Sequence, residues 1–231
     1  MTIVFDERAA ESSLVEKIWY GRSEAPGQFI STAAINWEIV VAIYQGQTLL
    51  TVRGPETKAS HADYPEGAEF FGIIFRLGTH MPHLPLLERL NRQDFPLPEA
   101  TSQRFWLHGS AWQYPTYDNA DVFVNRLIQQ NLIVADPVVE AVLAARPLTL
   151  SLRSVQRRFV QVTGLTHKTI QQIQRAQLAT ELLTTGTPIL EAAFEAGYYD
   201  QSHMTNALVQ YMGQTPAQLL RVQESALLEF T

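Results

Sequence analysis

From residue 1 to about 80, apolar side chains come in short runs rich in β-branched and aromatic types, and turn-formers bound each run. These runs predict strands at Leu14–Tyr20, Trp37–Tyr44, Thr48–Arg53 and Phe70–Arg76. Gln45-Gly46-Gln47 and Pro65-Glu66-Gly67 make the turns between them. Closely spaced short strands predict a sandwich or a small barrel. Pro85–Gln93 reads as a short helix opened by proline, and Asp94–Gly109 as irregular. Polar, proline-bearing Gln113–Asn119 is the expected linker.

From about Ala120 the apolar spacing lengthens to that of helices. Asp121–Asn131 reads as a first helix, with Val122, Val124, Leu127 and Ile128 apolar. Asp136 caps a second helix, Pro137–Ala145, with proline at its first position. After the turn at residues 146–150, Ser151 caps a third helix that Gly164 ends. Leu152, Val155, Phe159 and Val162 fall on one face of it, the face expected to be buried. Thr166 caps a long helix to about Thr184, with Ile170, Ile173, Leu178, Leu182 and Leu183 inward. Beyond Gly186, residues 189–196 form a helix and Gly197-Tyr198-Tyr199 a turn. Asp200 caps the next helix, which Gly213 stops, and Thr215-Pro216 opens a last short one. In the Asp200 helix Met204, Leu208, Tyr211 and Met212 face inward, while Gln201, Ser202, Thr205, Asn206 and Val209 face outward.

Two helix–turn–helix units joined by one helix thus emerge. The open face of the Ser151 helix carries Arg153, Gln156, Arg157 and Val160. Arginine and glutamine are the side chains that reach guanine and adenine edges in a major groove. From Ala141 to Thr180 there is no Asp or Glu, while Arg146, Arg153, Arg157, Arg158, Lys168 and Arg175 all fall in that window. A local basic patch is the footprint of phosphate contact. A joining helix of about 18 residues spans about 27 Å. Successive major grooves on one face of DNA lie about 34 Å apart, so one chain could place both second helices in adjacent grooves.

Composition narrows the class. The 231 residues, 46% hydrophobic and 17% charged, suit one large or two small globular domains. Without cysteine there is no disulfide, thiolate metal site or thiol nucleophile. No signal peptide and no apolar run of membrane-spanning length is visible, so a cytoplasmic location is expected. The net charge of -6 makes the basic window local: residues 1–120 hold nine basic and fourteen acidic side chains, residues 121–231 eight and nine.

Several linked stretches resemble one family. They are Ser151-x-Arg-Ser-Val-Gln-Arg-Arg-Phe159, Thr163-Gly-Leu-Thr166, Gln172-Ile-Gln-Arg-Ala176, Ala196-Gly-Tyr-Tyr-Asp-Gln-Ser-His203 and Gly213-Gln-Thr-Pro216. In this order and spacing they resemble the two-motif DNA-binding domain of AraC-type transcription regulators, from about Val122 to Leu220. The resemblance implies an α+β chain: a β-rich barrel- or sandwich-like domain over 1–115, for sensing or oligomerisation, then an all-α DNA-binding domain over 120–225. It puts base reading on Arg153, Gln156 and Arg157, then on Gln201, Ser202 and Asn206. Thr205 belongs to the same open face, and Arg158 and Lys168 suit phosphate. Arg158 points more to the protein flank than to the groove. Position 206 is often Arg and 208 usually Phe in such proteins; here they are Asn and Leu. Residues 181–231 hold one basic residue, Arg221, so the second motif is expected to bind more weakly.

The expected partners are double-stranded DNA and a small-molecule effector, with RNA polymerase and a second copy of the chain as further candidates. No catalytic residue, cofactor or membrane contact is expected. Trp19, Trp37, Phe71 and Phe75 are the candidate effector lining, against an ordinary β-core. Two alternatives stand beside this reading. A cupin-like metal enzyme would use His80, His83 and His61. A non-DNA-binding interaction protein would have kept only the helical scaffold.

Overall fold

The computed structural model describes residues 3–91 and 94–221. These fall into two compact units: one within Met1–Gln28, Ile35–Pro55 and Asp63–Thr166, the other within Phe29–Ala34, Glu56–Ala62 and His167–Thr231.

The strands, in chain order, are β1 Ile3–Arg8, β2 Val15–Ser23, β3 Gly27–Ser31, β4 Glu38–Tyr44 and β5 Gln47–Arg53. There follow β6 Ser60–Tyr64, β7 Glu69–Phe75, β8 Thr79–His80, β9 Phe95–Pro96 and β10 Glu99–Thr101. The last are β11 Arg104–Leu107, β12 Ser110–Gln113 and β13 Val134–Ala135. The helices are α1 Ala120–Gln129, α2 Pro137–Leu143, α3 Leu152–Thr163, α4 His167–Thr184, α5 Ile189–Glu195 and α6 Gln201–Met212. A further helical stretch starts at residue 216 and continues to the last described residue, 221. The chain is therefore β-rich first and helical afterwards, as the change in apolar spacing predicts.

In the first unit the main sheet runs β1-β2-β7-β4-β5-β9, antiparallel throughout. It is open at β1 and β9 among the described residues, so it is not a closed barrel. One face supplies Val15, Ile18, Ile39, Val41, Leu50, Val52, Phe71, Ile73 and Phe75 to a single core. A register shift between Val15 and Lys17 lets Val15 and Ile18 both face that core although three residues apart. On the opposite face the Trp19 indole lies over Gly72, where a Cβ would collide with it. Its Nε1 donates to Glu38 at 3.1 Å, and Glu38 also faces Arg53. The stretch expected to be irregular, Asp94–Gly109, contains β9, β10 and β11, and β12 directly after it completes the three-stranded meander β10-β11-β12.

Helix α1 closes the core with Ala120, Phe123, Val124 and Leu127. Residues 113–119 therefore join two parts of this one unit. On α1 the apolar Val122 is 70% exposed, and Phe123 faces the core. The expected helix at Pro85–Gln93 is a single 3₁₀ turn, Leu86–Arg89; Arg92 and Gln93 lie outside the described residues. Strand β13, immediately before α2, pairs with β8 in a two-residue ladder within this unit.

The second unit is a helical cluster with an arm from early in the chain. Helix α4 buries Ile170, Ile173, Ala176, Ala179 and Leu183. The expected inward Leu178 is 43% exposed; the alanines take its place. Helix α5 contributes Ala192 and Ala193, and α6 contributes Met204, Leu208, Tyr211 and Met212. The arm is made of residues 29–34 and 56–62, bridged at Ala34 and Glu56. The Ala33 and Ala59 amides donate to the carbonyls of Tyr211 at 2.7 Å and Gln210 at 2.9 Å. Two of the carbonyls that a helix leaves unsatisfied at its C-terminus are thus capped by the arm.

Candidate nucleic-acid interface

The first motif is built from α2 and α3. Asp136 caps α2: its Oδ1 accepts the amides of Val138 and Val139, both at 3.0 Å. Its Oδ2 accepts Arg158 of α3 through Nε at 2.7 Å and Nη2 at 2.6 Å. One buried carboxylate therefore both starts α2 and anchors α3 to it. Ser151 caps α3 by accepting the Ser154 amide at 3.2 Å, and Gly164 ends it in the left-handed region, φ +74°. Phe159, Val162 and Thr163 are buried. Leu152, read as part of that buried face, is exposed.

On the outward face Arg153, Gln156 and Arg157 are exposed. Among the described residues, no hydrogen bond or ion pair occupies these three side chains. Arg158 is instead engaged inside the fold, with its guanidinium half-exposed. Lys168 is exposed near the start of α4.

The second motif is α5 and α6. Asp200 caps α6 by accepting the His203 amide at 2.7 Å, and Gly213 ends it at φ +72°. Gln201, Ser202, Asn206 and Val209 are exposed. Thr205 is half-buried and turns its hydroxyl back onto the Gln201 carbonyl at 2.9 Å, which occupies the donor it would offer a base. Behind α6, Tyr198 is buried, the Arg175 guanidinium lies 5.4 Å from its ring centroid, and His203 meets the ring edge-on. Burial, opposed by Arg175, pushes the Tyr198 phenol up to about 12. Sequence reasoning missed this packing, and it missed that Asp136 serves two helices.

Residues 144–221 match the family model described as a helix-turn-helix domain. This segment is a helix–turn–helix domain, and most of the stretches with an AraC-type resemblance fall within it. It spans α3 to α6 and includes both outward faces. No curated protein matches the chain. Among solved structures the chain is similar to ToxT from Vibrio cholerae, 9% identical, with 94% of this chain and 97% of that one covered and a TM-score of 0.41. ToxT with bound unsaturated fatty acid is also 9% identical, with 94% of each chain covered and a TM-score of 0.40. ToxT bound to (E)-4-(8-methylnaphthalen-1-yl)but-3-enoic acid is 10% identical, with 95% and 99% covered and a TM-score of 0.38.

The other expected sites fare differently. Trp37, Phe71 and Phe75 fill the β core: Trp37 stacks on Phe75 at 4.0 Å and donates Nε1 to the Thr79 carbonyl at 2.6 Å. Trp19 lies on the opposite sheet face, stacked with Phe5 at 5.9 Å. A cleft of about 640 Å³ lies elsewhere, lined by Val4, Tyr20, Arg22, Ser23, Glu24, Glu66 and Gly67. For the metal alternative, His83 neighbours His108, ring centroids 4.6 Å apart, and His61 belongs to the other compact unit. Among the described residues no three His, Cys, Asp or Glu side chains come together as ligands. No helix of the described residues is long and apolar enough to cross a membrane.

Proposed function

We propose that this protein is a sequence-specific transcription regulator in which α3 is the dominant DNA reader. The observation that carries the reading is the open face of α3. Arg153, Gln156 and Arg157 stand exposed and uncommitted on a helix fixed at both ends, inside an acid-free segment of a helix–turn–helix domain. Arg153 and Arg157 suit guanine edges, and Gln156 suits adenine. Lys168 contributes a phosphate contact. Gln201, Ser202 and Asn206 of α6 read the second half of the site, and Thr205 supports them.

In this reading residues 120–225 act as the DNA-binding domain and residues 1–115 as the sensing or oligomerising one. A small-molecule effector belongs to the β region. Trp19 and the cleft beside Tyr20 are its more open candidates, since Trp37, Phe71 and Phe75 are already packed. A second copy of the chain and RNA polymerase are the protein partners, the cytoplasm is the location, and no catalysed reaction is assigned.

The test is a gel shift against genomic fragments over a salt series. A retained fragment whose affinity falls steeply with salt supports the reading. Binding to no fragment at low salt overturns it, and points to a protein that uses the helical scaffold for other contacts.

A further inference from the structure

Leu152 opens α3 at its first helical position, directly after the Ser151 cap. Its side chain is 74% exposed, whereas Phe159 and Val162 on the same helix are buried. Helix α2 has ended at Leu143, and the eight residues before α3 are not helical, so no helix continues over its first turn. Side chains on a helix tilt toward its N-terminus, so a first-position side chain projects past the helix end rather than back onto the protein. In a helix–turn–helix that is the end whose residues reach base edges. Arg153 is the next residue and Gln156 lies one turn on, both exposed. The surrounding segment offers no carboxylate to repel phosphate.

A branched aliphatic group exposed at the N-terminal end of a helix whose open face is cationic and polar has one apolar target in a major groove, the C5-methyl of thymine. Resting on the DNA-reading role given above, we propose that Leu152 is a specificity-determining residue that reads a thymine methyl in the half-site bound by α3. The surface is charge-matched to nucleic acid through Arg153 and Arg157, which sets the occupant as DNA rather than another protein.

Replacing thymine by deoxyuridine removes the methyl and leaves every hydrogen-bonding edge in place. The experiment takes the full chain and its selected DNA site and replaces each thymine of the first half-site in turn. Wild type is expected to lose affinity about fourfold at one thymine, the equivalent of one methyl group returned to water. Leu152→Ala is expected to bind the thymine and deoxyuridine sites equally, with an unchanged melting temperature because the side chain is exposed. Leu152→Gln is expected to change the preferred base at that position alone. If wild type binds its site but is insensitive to every thymine replacement, or if Leu152→Ala keeps the wild-type sensitivity, the proposal is wrong while the DNA-reading role stands. If wild type selects no site at all, the DNA-reading role has failed and this inference falls with it.

Discussion

Asp136 and Arg158 hold the first helix–turn–helix together: Oδ2 of Asp136 lies 2.7 Å from Nε and 2.6 Å from Nη2 of Arg158. The carboxylate is 1% exposed and also accepts two α2 amides. Arg158 thus positions α3 on α2, while Arg157, its neighbour, is the proposed reader. Arg158→Ala should lower stability by about 1–3 kcal/mol by leaving a buried carboxylate short of partners. It should leave the selected DNA motif in place. Asp136→Ala loses both the cap and the ion pair and should cost about 2–4 kcal/mol. Arg157→Ala should do the reverse, leaving the melting temperature almost unchanged but costing about 1–3 kcal/mol of specific binding and relaxing one base position. Melting curves and selected motifs for the three variants decide this. A changed motif in Arg158→Ala with unchanged stability would make Arg158 a reader.

The two motifs should contribute unequally. α3 carries Arg153 and Arg157 in an acid-free window, whereas α6 carries no Lys or Arg and begins at Asp200. An operator with one sharply specified half and one weaker, A/T-leaning half about one helical turn away is expected. Asn206→Arg should tighten binding and move the weak half toward guanine. Lys168→Ala should weaken all sequences alike and flatten the salt slope by about one unit. Two equally sharp halves in the wild type, or an Asn206→Arg variant with unchanged binding, would refute the asymmetry.

Gly213 tests the arm. At φ +72° it sits in the left-handed region, and an added Cβ would lie 2.8 Å from Ile30 Cγ2 and 3.0 Å from Ala59 Cβ. Gly46 has a similar φ, +76°, but open space around it. Gly46→Ala should therefore cost only the left-handed strain, about 1–2 kcal/mol. Gly213→Ala should cost more, because residues 29–34 and 56–62 must also give way. Equal losses by chemical denaturation would mean that the arm yields without cost.

Stability should fall on mild acidification. Burial lowers the His80 pKa below 6.5, the nearby Asp136 charge opposing it. Burial and the neighbouring His108 lower that of His83. With folded values below the unfolded one, the folded state holds fewer protons. The stabilisation is complete above about pH 6.5 and is lost as pH falls through the lowered values. Melting temperatures should drop between about pH 7.5 and 5, and His83→Gln should make that slope shallower. A slope identical in His83→Gln and wild type would show that His83 does not contribute.

Much of the helical half was legible because its punctuation is local. Ser151, Gly164, Asp136, Asp200 and Gly213 each mark a helix end by their own chemistry, and each is found at that end. The long strands β2, β4, β5 and β7 were legible from β-branched runs. Less legible was whatever a distant partner decides. Leu152 and Leu178 have the right spacing for burial, but one has no helix over it and the other yields its place to small alanines. Strand β1 reads as a polar start because, at the sheet edge, most of its side chains stay in water. The arm on α6 joins residues more than a hundred positions apart through backbone groups, and no side-chain pattern records that. Trp37, Phe71 and Phe75 look alike as core or ligand lining until their packing is known.

The central claim, that α3 is the dominant base reader, is tested most directly by selecting bound DNA from a random pool with wild type and with the Arg153→Ala/Arg157→Ala double variant. The account predicts that wild type enriches one non-palindromic motif whose sharpest positions disappear in the double variant while the weaker half remains. Enrichment of the same motif by both proteins would contradict it.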